Sequence, residues 1–151
     1  DLLAAGVDKI RLYALIEETS RPQRLAIQAR ALTSLTWHCQ GRVAMMELTA
    51  KDFAETGAKT SELYGTVNLP LAVAQAHVGC LLTEVTSSLV KISLRSKTLP
   101  GGIEAAPLTD VATLAERFGG GGHIHAAGAK FTGTVAEASA AILEAIEACV
   151  V

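Results

Sequence analysis

The chain has 151 residues, half of them hydrophobic, and its formal net charge is −2 at pH 7. This length suits one domain, or one domain with an appendage, and the composition supplies ample material for a core. The balanced charge excludes the broad basic surface of a duplex-binding protein, and the lack of a signal peptide or of an apolar run of about 18 residues predicts a cytoplasmic protein without a membrane partner.

The N-terminal part of the chain predicts helices. Residues 2–19 have the composition of one or two short helices interrupted near Gly6, and the expected packed residues are Ile10, Tyr13, Ala14 and Ile16. Ser20, Pro22 and Gln23 predict a capping-box start for a second helix that runs to Trp37. Its expected inward residues are Leu25, Ala29, Leu32 and Leu35.

The middle of the chain predicts three strands. The first covers Arg42–Thr49 and is followed by a short helical turn that begins at Thr49 and Asp52, and residues 56–70 are irregular. Residues 77–85 and 89–95 predict a hairpin. Apolar and polar residues alternate along its second strand, which is typical of a sheet buried on one side. The apolar set is Val90, Ile92 and Leu94, and the polar set is Lys91, Ser93 and Arg95.

The C-terminal part predicts a loop over residues 99–107, a helix capped by Asp110 and a short strand over residues 129–132. Val111, Leu114, Ala115 and Phe118 form the apolar side of that helix. Thr134 and Glu137 form a capping box for a last helix, whose apolar stripe is Ala138, Ile142, Ala145, Ile146 and Cys149. Interleaved helices and strands predict an α/β fold with a mixed β-sheet of about four or five strands flanked by helices.

The glycine-rich segment FGGGGHIHAAG, from Phe118 to Gly128, is the strongest indication of a ligand site. A left-handed helix C-cap explains Gly119 alone. The next three, Gly120, Gly121 and Gly122, each raise the cost of ordering the chain by up to ~1 kcal/mol relative to alanine. We interpret them as a backbone cradle for a phosphate, followed by a helix that opens at residues 124–127; close backbone packing is the alternative.

Two side chains near the cradle fit the same ligand. Arg95 ends the polar side of a strand and offers a planar fork to phosphate oxygens, although a solvated strand end would look the same. His123 is interpreted as a hydrogen-bond donor to a phosphate or sugar oxygen, with a structural histidine as the alternative. On a helix, His123 and His125 would point apart and share no metal, and the remaining histidines and aspartates are scattered.

The cysteines and aromatic residues indicate no chemistry of their own. Cys39, Cys80 and Cys149 are odd in number and far apart, which suits reduced thiols better than disulfides or zinc ligands. The aromatic residues Tyr13, Trp37 and Tyr64 are too scattered for a stacking platform, so we assign them to the core.

The order of these motifs resembles a known family. SLRS at Ser93–Ser96, the helix DVATLAERF, and GGGGH followed by AAG are similar to the C-terminal DHH-associated domain, type one, of the DHH phosphoesterases. The nano-RNase and pAp-phosphatase branch looks most similar, over Arg42–Gly133. Relatives of this branch often carry an arginine where this chain has Leu71, so no phosphate contact is expected there.

The resemblance implies a division of labour within a longer polypeptide. Residues 1–20 would be the tail of a linker helix from an N-terminal catalytic DHH domain that holds manganese, and residues 21–151 the substrate-binding domain. Arg95 and Ser96 would bind phosphate, Gly120–Gly122 would form the cradle, and His123 would contact the substrate backbone; no catalytic or metal-binding residue is expected in this chain.

The implied activity is hydrolysis of short oligoribonucleotides, of 3′-phosphoadenosine 5′-phosphate, or of both. The present chain alone would then be inactive, with short RNA or nucleotide phosphates and the DHH domain as its partners, and a homodimer stays open. The alternative is a nonenzymatic nucleic-acid-binding or assembly module, such as those beside tRNA-related machinery.

Overall fold

A computed structural model describes residues 6, 8–98 and 109–148 of the chain. The helices are α1 (Lys9–Glu17), α2 (Pro22–Thr33), α3 (Ala50–Thr56), α4 (Val111–Glu116) and α5 (Val135–Glu147). The strands are β1 (Thr36–His38), β2 (Val43–Leu48), β3 (Val78–Thr86), β4 (Leu89–Ser96), β5 (Gly121–His123) and β6 (Ala126–Thr132), and short 3-10 turns cover Cys39–Gly41, Thr60–Leu63 and Thr66–Ala72. The loop predicted over residues 99–107 and Cys149 lie outside the described residues.

The strands form one mixed sheet in the order β1-β2-β3-β4-β6-β5. Strands β2 and β3 are parallel, and every other neighbouring pair is antiparallel, including the predicted hairpin of β3 and β4. The predicted α/β fold with a mixed sheet is confirmed, but the sheet has six strands instead of four or five. The strands that the sequence did not indicate, β1 and β5, have three residues each, which is too short for an alternating pattern to show.

Each face of the sheet has its own hydrophobic core. On one face, alternate residues of β3 and β4 pack under helices α4 and α5, as Leu82, Ile92 and Ile142 illustrate. On the other face, Met46 and Leu81 pack against Ile27 of α2 together with α3 and the 3-10 turns. None of the helices in the described part of the chain is both long and apolar enough to cross a membrane.

The inward face predicted for the second helix is wrong. Ile27 and Ala31 are fully buried, and Leu25, Ala29 and Leu32 are exposed. Leu35, which follows the helix, packs against the core as expected. The predicted capping box is also wrong: Arg21 is the N-cap without a side-chain cap bond, and the hydroxyl of Ser20 accepts a hydrogen bond from the Arg24 guanidinium. Pro22 does stand in the first turn, but α2 ends at Thr33, before the short strand that contains Trp37.

Two of the residues expected to pack in the first helix are exposed, Ala14 is half-buried, and the side chain of Ile16 lies outside the described residues. Helix α1 leaves Ile10 83% exposed, and Tyr13 is exposed as well. Trp37 and Tyr64 are also exposed, so the assignment of the aromatic residues to the core is wrong. Of the thiols, Cys39 is half-buried and Cys80 fully buried, and both are free. Burial raises the pKa of Cys80 to about 12, so its thiol is protonated at neutral pH.

The predicted helix caps are confirmed where the chain has the matching side chains. Thr49 and Asp52 form a capping box at the start of α3, and Thr134 and Glu137 form another at the start of α5. The carboxylate of Asp110 accepts hydrogen bonds from the backbone N–H groups of residues 112 and 113. These local bonds set where the helices begin.

We expect Asp110→Ala to lower the free energy of unfolding by about 1 kcal/mol, because two N–H groups at the start of α4 lose their acceptor. Asp110→Asn keeps a side-chain oxygen in the same place and should stay within about 0.5 kcal/mol of the parent. Urea denaturation of the three proteins measures the difference. Equal losses in both variants would show that the negative charge, and not the cap, stabilises this helix.

Candidate functional site

In the part of the chain that the structure describes, no helix covers half of one sheet face. The face opposite α4 and α5 is covered over β2 and β3 by α2, α3 and the 3-10 turns. The residues that β4, β6 and β5 direct to the same face are exposed or half-buried. Paired residues of antiparallel strands share a face, so the register defines this set, which we call the open face: Lys91, Ser93, Arg95, Ala126, Gly128, Lys130, Gly121 and His123.

A groove of about 410 Å³ lies where the open face meets the covered half. The wall from β3 and the 3-10 turns is mainly apolar but also carries Thr60, Ser61 and Thr83, and the wall from β4 is polar. The apolar lining includes Leu63, Tyr64, Val67, Leu81 and Val85, and the polar lining includes Thr83, Lys91, Ser93 and Arg95. The groove therefore has one wall suited to an apolar group and one suited to an anion.

The half-buried side chain of Arg95 supplies cationic donors to this groove. One of its guanidinium nitrogens, Nη1, donates a hydrogen bond to the carbonyl of Leu94 at 3.0 Å, which restrains the side chain. Among the side chains that the structure describes, no carboxylate lies within ion-pair distance of Arg95 or of Lys91. The rest of the guanidinium fork is thus available for a phosphate or carboxylate.

The register brings His123 to the same row of the sheet as Arg95. Arg95 pairs with Ala126, and Ala126 pairs with His123 across the next strand. Two strand spacings separate Arg95 and His123, which is about 10 Å between backbones. The neighbouring row consists of Ser93, Gly128 and Gly121. Small residues thus form a flat floor between a guanidinium and an imidazole that both face the same side.

The glycine run forms a turn and an edge strand, not an open loop. Gly119 is left-handed with φ 67°, as predicted for a helix C-cap. A Cβ on Gly120 would lie 2.6 Å from the Ala129 Cβ, and one on Gly122 would lie 2.6 Å from the Ala127 Cα. Both glycines therefore allow β5 to lie against β6, which is the alternative that the sequence left open. The N–H of Gly120 also donates to the carbonyl of residue 115 at 3.0 Å.

Gly121 differs from its neighbours. No heavy atom outside its own chain neighbours lies within 4 Å of the Cβ position, and its φ lies outside the left-handed region. Packing does not explain this glycine, so the phosphate cradle stays a prediction that falls chiefly on Gly121. The helix predicted to open at residues 124–127 is wrong, because residues 124 and 125 form the turn between β5 and β6, and residues 126 and 127 begin β6.

Ser96 lies on the opposite face of β4 from Arg95. Its side chain is 6% exposed, and its hydroxyl donates to the carbonyl of Ile124 at 3.2 Å. Its N–H donates to the carbonyl of His125 at 3.1 Å, and the N–H of Val111 also donates to Ile124. The structure therefore does not bring Ser96 into the groove; Ser96 anchors the turn that follows His123.

The histidines do not gather into a metal site. In the part of the chain that the structure describes, no three His, Cys, Asp or Glu residues come together as candidate metal ligands. His77 lies at the edge of the sheet where β3 begins, and burial lowers its pKa, with Arg42 and Lys97 lowering it further. The imidazole of His77 is therefore neutral at pH 7, and the positive charge beside it belongs to Arg42 and Lys97.

Sequence reasoning missed Tyr64 and Thr83 as groove residues. Tyr64 stands in a segment without helix or strand periodicity, so no pattern predicted which way its ring points. Thr83 occupies a position in β3 that is 2% exposed, and only the pairing of Thr83 with Lys91 places it beside the groove.

Comparison with known families agrees with this architecture. The DHHA1 domain family matches residues 40–151, which is most of the chain. The chain belongs to the DHHA1 domain family. DHHA1 domains are associated with DHH-family phosphoesterases.

Two solved structures resemble this DHHA1 domain. An exopolyphosphatase-related protein from Bacteroides fragilis has 30% sequence identity and a TM-score of 0.84 over 97% of this chain and 41% of that chain. The pGpG-specific phosphodiesterase PggH from Vibrio cholerae has 12% identity and a TM-score of 0.51 over 86% of this chain and 41% of that chain, and shows a shared fold alone. The chain thus spans about two fifths of the length of each of these two proteins.

The glycines of this DHHA1 domain should respond differently to alanine. Gly122→Ala should lower the free energy of unfolding by about 2 kcal/mol or more, because the new Cβ meets the β6 backbone at a φ of 151°. Gly121→Ala, with open space around the Cβ, should change it by no more than about 0.5 kcal/mol. Urea denaturation measures both. A large loss from Gly121→Ala would mean that Gly121 is also a packing glycine and would remove it from the candidate site.

Proposed function

We propose that this chain is the substrate-binding domain of a manganese-dependent DHH phosphoesterase that hydrolyses short oligoribonucleotides, 3′-phosphoadenosine 5′-phosphate, or both. The open face supports the proposal most directly: Arg95 and His123 lie in one row of the sheet, with only small residues between them. An extended phosphodiester could lie on this floor, with one phosphate at the guanidinium and an oxygen at the imidazole.

The proposed roles follow the placement of each residue. Arg95 binds a phosphate through the part of its fork that no described carboxylate occupies. His123, exposed at the end of β5, donates to a substrate oxygen, and Gly121 leaves room for the ligand to approach the backbone. Ser96 is better supported as the anchor of the turn after His123 than as a phosphate ligand.

Manganese belongs to the catalytic domain in this proposal. A bound divalent metal lowers the pKa of water and so supplies a nucleophile for phosphoester hydrolysis. The described residues do not form a set of ligands for it, so we derive no step through the metal from this chain. We propose that residues 1–20 lead from an N-terminal DHH domain of the same polypeptide, that residues 21–151 are the substrate-binding domain, and that the substrate lies between the two domains.

Inorganic polyphosphate is the main rival substrate. One structural relative is described as exopolyphosphatase-related, and another with the same fold as a pGpG-specific phosphodiesterase. Polyphosphate and nucleotides both carry phosphates, so a phosphate contact from Arg95 alone does not distinguish these two substrate classes. The apolar wall of the groove favours a nucleotide, because a polyphosphate chain has no apolar group to place there.

Arg95→Ala should weaken binding of a 5′-phosphorylated dinucleotide by about 1.5–3 kcal/mol, because a charge-assisted hydrogen bond to phosphate is lost. The loss should shrink as salt is raised, since the contact is partly exposed. Lys51→Ala removes the same charge from an exposed position on α3 and should have little effect. Calorimetry on the full-length protein measures the affinities. Equal losses in both variants would show that a diffuse field, and not Arg95, binds the phosphate.

The chain alone, supplied with manganese, should hydrolyse neither a dinucleotide nor 3′-phosphoadenosine 5′-phosphate, because the described residues form no metal site. The full-length protein, assayed in parallel by chromatography of the nucleotide products, is the positive control. Turnover by the chain alone that survives repurification and rises with added manganese would refute the proposed division of labour. RNA binding without turnover by the full-length protein would instead favour the nonenzymatic module.

A further inference from the structure

The groove places a large aromatic side chain opposite its cations. Tyr64 lines the groove on the side of the 3-10 turns, together with Leu63 and Val85, while Lys91 and Arg95 line the side of β4. The ring of Tyr64 is on the rim and 81% exposed, so it contributes little to either core. An aromatic ring in water, across a groove from a guanidinium, matches a ligand that has one flat apolar part and one anionic part.

The backbone on either side of Tyr64 is held in place. The carbonyl of Tyr64 accepts a hydrogen bond from the Arg24 guanidinium at 3.3 Å. Gly65 follows in a left-handed conformation with φ 82°, and the next residue, Thr66, is fully buried. The backbone position of Tyr64 is therefore restrained, and its exposed side chain is accessible to a ligand.

We propose that Tyr64 stacks on the base of a nucleotide whose phosphate is bound by Arg95, so that this groove selects nucleotides over inorganic polyphosphate. This inference rests on the proposed function and adds the residue that recognises the base. Stacking on an aromatic side chain accepts any base, because every base has a π-face. The groove would then recognise that a base is present without distinguishing one base from another.

The distribution of charge supports a nucleotide over polyphosphate. A polyphosphate chain carries negative charge along its whole length and needs cations along its whole path. In this groove the two lining cations, Lys91 and Arg95, belong to one strand, and the lining residues of the facing wall are apolar or uncharged polar. A polyphosphate would therefore leave half of the groove unused, whereas the sugar and base of a nucleotide would cover it.

Affinity measurements on the full-length protein test the inference with two probes, a 5′-phosphorylated dinucleotide and tripolyphosphate. Tyr64→Ala should raise Kd for the dinucleotide about tenfold, which corresponds to about 1.4 kcal/mol, and leave Kd for tripolyphosphate unchanged. Tyr64→Phe keeps the ring and should retain the parent affinity. In proton NMR, the base protons of the bound dinucleotide should shift upfield with the parent and with Tyr64→Phe, and lose that shift with Tyr64→Ala.

The controls separate this inference from the proposed function. Tyr13→Ala removes an exposed tyrosine outside the groove and should leave both affinities unchanged. If Arg95→Ala weakens both probes but Tyr64→Ala weakens neither, the phosphate site stands and the stacking role is wrong. If Arg95→Ala weakens neither probe, the proposed function itself fails. Equal weakening of both probes by Tyr64→Ala, or an equal loss in Tyr64→Phe, would also overturn the stacking role, since neither depends on a ring beneath a base.

Discussion

The close pairing of β5 with β6 is the constraint on which the candidate site depends. Gly120 and Gly122 carry no Cβ, and any Cβ there would collide with the backbone or side chains of β6. Because these two Cβ atoms are absent, a three-residue edge strand can pair in register with β6. That register sets His123 in the same row as Arg95. The glycine run thus acts on the site through backbone pairing as much as through any direct contact with a ligand.

The unequal cover of the two sheet faces explains where a ligand can approach. Helices α4 and α5 cover one face, so the sheet gains a core there. On the other face, α2, α3 and the 3-10 turns cover β2 and β3 and stop, with Gly79 allowing the turn at Val67 to pack closely on β3. The boundary between covered and uncovered strands is a step in height, and the groove with Tyr64 and Arg95 lies along that step.

The polar residues near the end of β4 are of two kinds: some use their hydrogen-bonding groups within the protein, and others keep most of theirs available for a ligand. Ser96 donates hydrogen bonds from its hydroxyl and its N–H to the carbonyls of Ile124 and His125, and these bonds fix the turn that follows β5. Lys97 donates to the carbonyls of residues 73 and 74, so its ammonium holds the segment before β3. Arg95 and His123 differ, because the structure leaves most of their donors for a ligand. The chain belongs to the DHHA1 domain family, and these donors are the groups on the open face that would suit a phosphate.

The sequence by itself determined the local features, which depend only on residues close together in the chain. The caps at Thr49, Asp110 and Thr134 need only a side-chain oxygen within three residues of the N–H groups that it accepts, and all three are present. Strand β4 was recognisable because eight residues suffice for alternation to show, and the same alternation placed Arg95 on the face away from the core. The motif order was also enough to indicate the DHH-associated family.

Tertiary structure alone decided the features that depend on a partner element. Helix α2 carries two apolar stripes, and only contact with Met46 and Leu48 selects the one with Ile27 over the one with Leu25. The sequence predicts a helix opening at residues 124–127, yet residues 126 and 127 pair with β4 and the two residues before them form a turn, because hydrogen bonds to an existing strand outweigh a weak local preference. The exposure of Tyr64 likewise follows from where the 3-10 turns end on the sheet, which no local pattern encodes.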